Sequence, residues 1–500
     1  MLVYSENKEE INEKAISLLK RNESEKVAIY ELGNKIKLAI IYFCEFETIE
    51  KNNNTIIIRD HLHTLLIVEI VADKLVIKPD PLGIYTKLHY YVDDNKLVVA
   101  SEIKPIVAQI GFNKLTINNQ AVESFFNKQH IPITTTPFNE IKTTIIFEYL
   151  IYDCSKKQLL SISDDSNELS LNKKQLFKTI TDILKKYTEI DYKNKMVWLS
   201  GGLDSRVLTE LLKFQQPLII NFGAKSCQDH IFAKKYLRKN TLPFEHIIIT
   251  PEMLVKNVER HSKISEGFSD HLNAHISGTL SKYCQQPTLI YDGFAGDVIL
   301  GGNQYPYVQK NKTGELSYHN LHVRNITRSG SYSIGSDFGK VLLPFYDYKL
   351  FYLMLSVPLE LRKDHEFYKN FLQKQYPQLL KIPSTSLRTK KKKKKINSLF
   401  EKLKIKSLAT LEFLFKTPIA KEDHYVNPAK WLRENKQYYN FVSNLTIQGV
   451  ARGVITYNSL ELLFKDHLNY KKDHSRLLVK LADFELFNKL YLDGGIIKNA

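Results

Sequence analysis

A glycine-rich turn between an apolar run and a helical pattern is the part of this chain whose residue types could do chemistry. Residues 199–205 read LSGGLDS, after the apolar run 196–199 and before apolar positions 207, 208, 211 and 212. The run predicts a short strand, and the later spacing predicts a helix. Glycines let backbone amides approach an anion closely, and a helix N-terminus adds unpaired N–H donors and a favourable dipole. We therefore expect the turn to bind phosphate groups.

Side chains in the same turn could complete such a site. The Ser200 and Ser205 hydroxyls can donate hydrogen bonds to the same anion, and the Asp204 carboxylate can hold Mg²⁺ against phosphates. The chain has no Walker pattern, which is GxxxxGK followed by Ser or Thr. Taken alone, the turn is also consistent with a purely structural one whose serines cap a helix.

A second glycine-rich block, DGFAGDVILGG at residues 292–302, sharpens the interpretation. SGGLDS after a strand is the signature of the ATP-pyrophosphatase superfamily, and the second block resembles the GxGxDExxGG block of asparagine synthetases and β-lactam synthetases. That resemblance implies a Mg²⁺ site formed by Asp204 and Asp297, since two carboxylates beyond adjacent strand ends can clamp a metal on pyrophosphate. It assigns ATP binding to Leu199, Ser200, Gly201, Gly202, Asp204, Ser205, Phe222, Gly223, Gly293 and Gly296.

Other segments extend this resemblance over most of the chain. Residues 221–223 (NFG), with Asp229 behind them, look like the adenine-side segment of the family. Residues 343–347 (LPFYD) resemble the PFLD block that packs the helical half. Residues 80–84 and 99–104 resemble the later part of the N-terminal glutaminase-type domain. The first domain is accordingly expected to be a degenerate relative of the Ntn-hydrolase fold.

The resemblance fails where a glutaminase would need its nucleophile. Active members of the family expose a cysteine at residue two, whereas this chain has Leu2, and Cys44 lies within an apolar run. The arginine-rich and asparagine-rich blocks that bind glutamine are not recognisable between residues 20 and 60. We expect no glutamine hydrolysis, so the nucleophile is free ammonia, ammonia from a partner, or an amine of the substrate.

A second departure concerns the amide-forming step. Phe294 stands where asparagine synthetases have a glutamate and the β-lactam-forming relatives have a tyrosine, and Val298 replaces an acidic residue. Phenylalanine transfers no proton, so this step requires another base or a different acceptor geometry. Adenylation is expected to be intact.

Polar residues between the two blocks allow two interpretations. Glu266, Asp270, His271 and His275 fall where relatives line the pocket for the acceptor substrate. Alternatively, Asp270 caps a helix and the two histidines share one face of that helix at the protein surface.

The lysine run 390–395 also allows several interpretations. It is typical of a solvated loop. The family has a flexible loop near this point whose lysine stabilises the charges of the reaction, which makes Lys390 the candidate catalytic lysine. Binding to membrane or nucleic-acid phosphates is the third alternative.

The elements that must position these residues fall into two groups. Strands are predicted at 36–43, 55–58, 64–71, 74–77, 85–92, 96–100 and 143–153, with a helix at 118–128. A helix at 173–187 then precedes strands at 196–199, 217–222, 244–249 and 288–291, which alternate with helices starting at 204, 229 and 270. Alternation predicts a parallel sheet covered on both faces, with ligands beyond the carboxyl ends of its strands.

The predicted fold class is therefore α/β in two domains. The first, residues 1–165, is an Ntn-hydrolase-like α+β sandwich. The second, residues 170–500, is a parallel-sheet α/β domain of the ATP-pyrophosphatase type, with added helices after about residue 339.

Composition excludes several classes of protein. The 500 residues contain 43% hydrophobic and 25% charged residues, and no apolar run reaches the roughly 18 residues that span a bilayer. The N-terminus lacks the basic and apolar regions of a signal peptide, so a cytoplasmic location is expected. The four cysteines form no CxxC pair, which argues against a zinc site and a disulfide framework. The net charge of +17 favours anionic partners in general but does not indicate nucleic acid as the main one.

Together these features predict an amide ligase that uses ATP and Mg²⁺, adenylates a substrate carboxylate, releases AMP and pyrophosphate, and has no glutaminase activity of its own. The substrate would be a peptide, as in the macrolactam cyclases of lasso-peptide biosynthesis, a sugar acid, or aspartate. A partner protein would supply ammonia or deliver the substrate. Two alternatives stay open: a nucleotide-binding pseudoenzyme that regulates a partner, and a tRNA-modifying member of the superfamily.

Overall fold

The computed structural model describes most of the chain, in ranges separated by gaps. The described residues are 2–6, 11–19, 25–32, 36–42, 46–94, 96–128, 131, 135–164, 175–300, 309–310, 316–317, 335–336, 338–355, 357–362, 365–385 and 426–493. Among the predictions, those for Cys44, Gly301, Gly302 and the lysine run with Lys390 fall outside these residues.

Two antiparallel sheets form the first part of the molecule. The first sheet contains, in spatial order, β10 (Ile141–Thr143), β8 (His89–Val92), β9 (Leu97–Ala100), β1 (Leu2–Glu6), β3 (Ile36–Tyr42) and β2 (Lys26–Leu32). The second contains β12 (Gln158–Asp164), β11 (Glu148–Asp153), β7 (Lys74–Pro79), β6 (Thr64–Val71), β5 (Thr55–Asp60) and β4 (Glu47–Lys51). The helices here are α1 (Glu13–Leu19), α2 (Ile103–Ile110) and α3 (Asn119–Lys128).

Strand alternation produces the layers of this part. Because successive side chains of a strand point to opposite faces, Leu38 and Ile40 of β3 enter a core shared with the second sheet, which includes Ile56. Ala39 and Ile41 lie on the other face, in a cluster with the apolar side of α2. The result is a helix layer on two packed sheets, as the sequence predicted.

A parallel sheet organises the second part. Its described strands are, in order, β15 (Glu245–Ile247), β14 (Leu218–Phe222), β13 (Lys195–Trp198), β16 (Thr288–Asp292) and β19 (Gly339–Leu342), and all of its pairings are parallel. A short antiparallel pair is formed by β17 (Gln309–Lys310) and β18 (Leu316–Ser317). The helices between the strands are α4 (Leu176–Thr188), α5 (Asp204–Leu212), α6 (Gln228–Lys239), α7 (Pro251–Ile264), α8 (His275–Tyr283) and α9 (Gly296–Ile299).

Helices complete the chain after β19. They are α10 (Tyr348–Leu355), α11 (Leu359–Arg362), α12 (Glu366–Gln375), α13 (Pro377–Leu380), α14 (Pro428–Glu434), α15 (Lys436–Ala451), α16 (Tyr457–Leu468) and α17 (Ser475–Tyr491). Short 3₁₀ helices span Phe112–Lys114, Lys213–Gln215, His271–Ala274 and Pro344–Tyr346.

The last helix returns to the first part of the molecule. Phe487 of α17 stacks on Phe125 of α3, with ring centroids 4.3 Å apart.

The predicted α/β class, with antiparallel sheets before a parallel sheet and added helices, is confirmed. The boundaries at 1–165 and 170–500 stay a prediction. No helix in the described ranges is both long enough and apolar enough to cross a bilayer.

A buried polar network connects the second antiparallel sheet to the parallel-sheet part. His63 Nδ1 lies 3.2 Å from Asp60 Oδ1, and His63 Nε2 lies 2.6 Å from the Tyr187 hydroxyl oxygen. That hydroxyl donates to Asp347 Oδ2 at 2.8 Å. Burial alone would lower the pKa of His63, but hydrogen bonds to the Asp347 and Asp60 carboxylates outweigh it and raise the pKa to about 9.

Lys340 of β19 extends the network. Its Nζ donates to Glu47 Oε1 at 2.9 Å and lies 3.3 Å from Asp60 Oδ2. Burial would raise the pKa of Asp60, but Lys340 and His63 outweigh it and hold that pKa well below its usual range. Two cations and three carboxylates from both parts of the chain therefore lie together, largely shielded from water.

Replacing His63 with glutamine should lower the free energy of unfolding by roughly 3–5 kcal/mol, because two buried carboxylates lose a cation. The raised pKa also sets a pH dependence. The stabilisation by His63 is fully present below its unfolded pKa of 6.5 and is lost as pH rises through about 9. Urea unfolding at a series of pH values measures both effects. His61→Gln, an exposed neighbour, is the matched control and should match wild type. Equal stability of the two variants would contradict the assigned role.

Candidate functional site

The predicted glycine-rich turn joins β13 to α5 and is held by its own serines. Ser200 N donates to Ser205 Oγ at 3.0 Å, and the two serine hydroxyl oxygens are 3.0 Å apart. Gly202 N donates to Ser200 Oγ at 3.1 Å. These bonds fix the shape of the turn, so its shape is set without a ligand.

Residues distant in the sequence support the turn from behind. Gly201 N donates to Asp229 Oδ1 of α6 at 2.8 Å. Gly201 O accepts from the buried Arg206 guanidinium at 3.0 Å and from Thr385 N at 3.0 Å. A Cβ at Gly201 would lie 2.7 Å from Asp229 Cα, so only glycine allows this approach. The Gly201 amide is therefore directed at a carboxylate of the protein rather than at a ligand.

The second block brings its aspartate to the first. Since β16 pairs with β13 in parallel, the segment after Asp292 lies beside the start of α5. Asp297 N donates to Asp204 Oδ2 at 3.1 Å, and the Tyr368 hydroxyl donates to Asp204 Oδ1 at 2.7 Å. A Cβ at Gly296 would lie 2.5 Å from Asp204 Cγ. The backbone of the second block thus contacts the Asp204 carboxylate beyond the ends of adjacent strands.

A cavity of about 330 Å³ opens at this point. Of the predicted residues, seven line it: Leu199, Ser200, Asp204, Ser205, Phe222, Gly293 and Asp297. Four others, Gly201, Gly202, Gly223 and Gly296, do not line it. The remaining wall consists of Trp198, Asn221, Asp229, Asn273, His275, Ile276, Asp292, Phe294 and Ala295.

The polar residues between the two blocks separate into different environments. His275 lines the cavity and is 1% exposed, while His271 is also 1% exposed but lies behind the wall. The interpretation of these two residues as surface histidines is therefore wrong, because both are enclosed by the helices that follow. Glu266 is buried elsewhere, where its Oε1 accepts from Ile103 N at 2.7 Å. Asp270 Oδ1 accepts from Asn273 Nδ2 at 3.1 Å and orients that wall residue.

His271 joins the cavity wall to the C-terminal helices. Its Nδ1 lies 2.7 Å from Asp483 Oδ1 of α17, and its Nε2 lies 2.8 Å from the Tyr438 hydroxyl oxygen of α15. Because His271 begins the 3₁₀ helix that presents Asn273, these contacts position the wall. Nothing in local sequence pattern identifies such partners.

A pair of histidines supports the strand ends beside the cavity. Asn221 Oδ1 accepts from His230 Nδ1 at 2.8 Å and from His246 Nδ1 at 3.1 Å, while Asn221 Nδ2 donates to Leu199 O at 2.8 Å. Burial lowers the pKa of both histidines, that of His230 to about 4. The pair is neutral at pH 7 and holds the ends of three neighbouring strands together.

Two titratable groups in the cavity wall have shifted pKa values. Burial raises the pKa of Asp292 to about 6, since the carboxylate is poorly hydrated there. Burial lowers the pKa of His275 to about 4, so its ring is neutral at pH 7. In the described part of the chain, no three His, Cys, Asp or Glu side chains are grouped to hold a metal. A metal here would be held by two carboxylates, with a ligand or water completing its coordination.

The close approach of Gly296 to Asp204 generates a stability prediction. Gly296→Ala should lower the free energy of unfolding by about 1–3 kcal/mol, because the added methyl group overlaps the Asp204 carboxyl. Gly449→Ala in α15 is the matched control, since no atom lies within 4 Å of its added Cβ. The free energy of unfolding of that control should equal that of wild type or exceed it by up to about 1 kcal/mol. Denaturant unfolding measures both, and a Gly296→Ala protein as stable as the control would disprove the tight contact.

Comparison with known proteins gives one partial match of note. No family model matches the chain. Over 251 residues it is 28% identical to a protein of Methanocaldococcus jannaschii named "putative asparagine synthetase (glutamine-hydrolyzing) 2". The match covers 46% of this chain and 46% of that protein, so it spans less than half the length of this relative. Over that part the chain is similar to asparagine-synthetase-like proteins.

Proposed function

We propose that this protein is an ATP-dependent amide ligase that adenylates a substrate carboxylate and releases AMP and pyrophosphate. The observation that carries the proposal is the meeting of Asp204 and Asp297 beside a preshaped glycine-rich turn. They lie at the carboxyl ends of parallel strands, where ligands of such sheets bind. The partial similarity to a putative asparagine synthetase supports the same class of reaction.

The residues present fit ATP with Mg²⁺. Glycines bring the second block against the first turn, since a Cβ at Gly293 would lie 2.6 Å from Ser205 N. The Ser200 and Ser205 hydroxyls face the cavity and can donate to phosphate oxygens. Asp204 and Asp297 would hold Mg²⁺, which neutralises charge on pyrophosphate when bound. The cavity volume of about 330 Å³ lies at the lower end of the range typical of small-molecule sites.

The reaction we propose has two steps. A carboxylate oxygen of the substrate attacks the α-phosphorus of ATP, and pyrophosphate leaves with the electron pair of the broken bond. An amine then attacks the acyl carbon, and AMP leaves. The protein orients the reactants and excludes water with the apolar side chains of Trp198, Phe222 and Phe294, which line the cavity. We propose a peptide, a sugar acid or aspartate as the carboxylate substrate, and ammonia or an amine of the substrate as the nucleophile.

A nucleotide-binding pseudoenzyme is the second candidate function. Phe294 favours it, since this side chain lines the cavity and packs 5.9 Å from the Tyr346 ring, where it transfers no proton. Such a protein would bind Mg-ATP at the same site and report its binding to a partner.

Release of AMP and pyrophosphate from Mg-ATP distinguishes the ligase from the pseudoenzyme. The acceptors to test are L-aspartate, glucuronic acid and peptides with an internal aspartate or glutamate, and the nitrogen sources to compare are ammonium and glutamine. For the ligase we expect release that depends on one of these acceptors. Asp297→Ala should reduce the rate at least about 10²-fold, because charge stabilisation on the phosphates is lost. Asp182→Ala, on an exposed position of α4, should match wild type. Binding of Mg-ATP without release on any acceptor would instead establish the pseudoenzyme.

A further inference from the structure

Asp292 is a carboxylate of the cavity wall that the proposed nucleotide chemistry does not use. It ends β16, in register with Trp198 of β13, and lines the cavity together with the Phe222 and Phe294 side chains. The Phe294 backbone N–H donates to its carboxylate. The carboxylate is therefore held by a backbone donor, in a wall that also contains two phenylalanine side chains.

The other three carboxylates of the cavity already have a structural or proposed role. Asp229 Oδ1 accepts from Gly201 N at 2.8 Å and holds the turn. Asp204 accepts from the Tyr368 hydroxyl and from Asp297 N, and it would share Mg²⁺ with Asp297. The fourth carboxylate is not placed to join them, since no group of three such side chains among the described residues could hold a metal.

Proton affinity also distinguishes Asp292 from His275, which lines the same cavity. A general base works best when its pKa is near the operating pH. The pKa of Asp292 is raised by burial to about 6, whereas burial lowers that of His275 to about 4. At neutral pH Asp292 is therefore mostly ionised and is the stronger base of the two. The other titratable residues that line the cavity are Asp204 on α5, Asp229 on α6 and Asp297 on α9.

We propose that Asp292 is the general base of the amide-forming step, an assignment that rests on the proposed ligase function. Its carboxylate takes a proton from the ammonium form of the incoming amine and frees the nitrogen lone pair. That pair attacks the acyl carbon of the acyl-adenylate and forms the C–N bond. The C–O bond to AMP then breaks with its electron pair going to AMP, and the second proton of the nitrogen passes to the leaving phosphate. Asp292 thus supplies the proton transfer that Phe294 lacks.

Competition between two nucleophiles tests this assignment. Ammonium must lose a proton before it attacks, whereas hydroxylamine is largely unprotonated at neutral pH and attacks the same acyl-adenylate without a base. Ammonium chloride and hydroxylamine are supplied together with the acceptor that supports pyrophosphate release. Ammonium gives the amide and hydroxylamine gives the hydroxamate, and the measured quantity is the ratio of amide to hydroxamate. Asp292→Asn should lower this ratio about 10²-fold or more. In wild type the rate of amide formation from ammonium alone should fall as pH drops through about 6, and the variant should lose that step.

Asp229→Asn is the matched control. It removes a carboxylate from the same cavity but one that holds the turn, so both products should decrease together and the ratio should stay at the wild-type value. Asparagine has nearly the shape of aspartate, and a neutral amide costs less to bury than a carboxylate, so Asp292→Asn should fold.

Three results would overturn the assignment. An unchanged ratio with undiminished amide formation in Asp292→Asn would show that another group takes the proton. An unchanged ratio with an equal loss of both products would place Asp292 in nucleotide or metal binding. Absence of pyrophosphate release by wild type with every acceptor would refute the ligase function itself, and the assignment would fall with it.

Discussion

The candidate site depends on the fixed position of the Asp204 carboxylate. The Asp297 amide and the Tyr368 hydroxyl both donate to it. Glycine at 296 allows this approach, since a Cβ there would lie 2.5 Å from Asp204 Cγ. Strands β13 and β16 pair in parallel, so the segments that follow them lie at the same edge of the sheet.

The surrounding structure keeps this edge rigid. Asp229, Arg206 and Thr385 come from three segments of the chain and converge on Gly201. The wall opposite is fixed by His271, whose ring joins the 3₁₀ helix to Asp483 on the C-terminal helix. A site whose walls are fixed before a ligand arrives loses little conformational freedom on binding.

The two parts of the molecule are joined by two contacts, one apolar and one charged. Stacked rings of Phe125 and Phe487 form an apolar contact, while His63, Asp60 and Lys340 form a buried charged one. The charged contact is costly to break at either end because its partners are out of water. It makes the antiparallel sandwich a structural support for the parallel sheet, independent of any activity of its own.

Periodicity predicted most elements that have one clearly buried face. Strand β6 occupies the predicted residues 64–71, and helix α3 begins one residue after its predicted start. Strands β2 and β4 were not predicted, since they are sheet edges whose side chains are largely exposed and whose patterns are weak. Helix α7 was also missed, although Thr250 followed by Pro251 is a recognisable start signal: the threonine side chain accepts from Met253 N.

The sequence by itself determined the glycine-rich turn, the second glycine-rich block and the α/β class, because each depends on neighbouring residues and on local backbone preferences. Only the tertiary structure decided the partners of these groups. Tyr368, Asp483 and Thr385 reach the site from far along the chain, and no local pattern encodes such contacts. Burial likewise decided that His271 is a structural link and that Asp292 has a raised pKa, since the environment of a side chain is set by what packs around it.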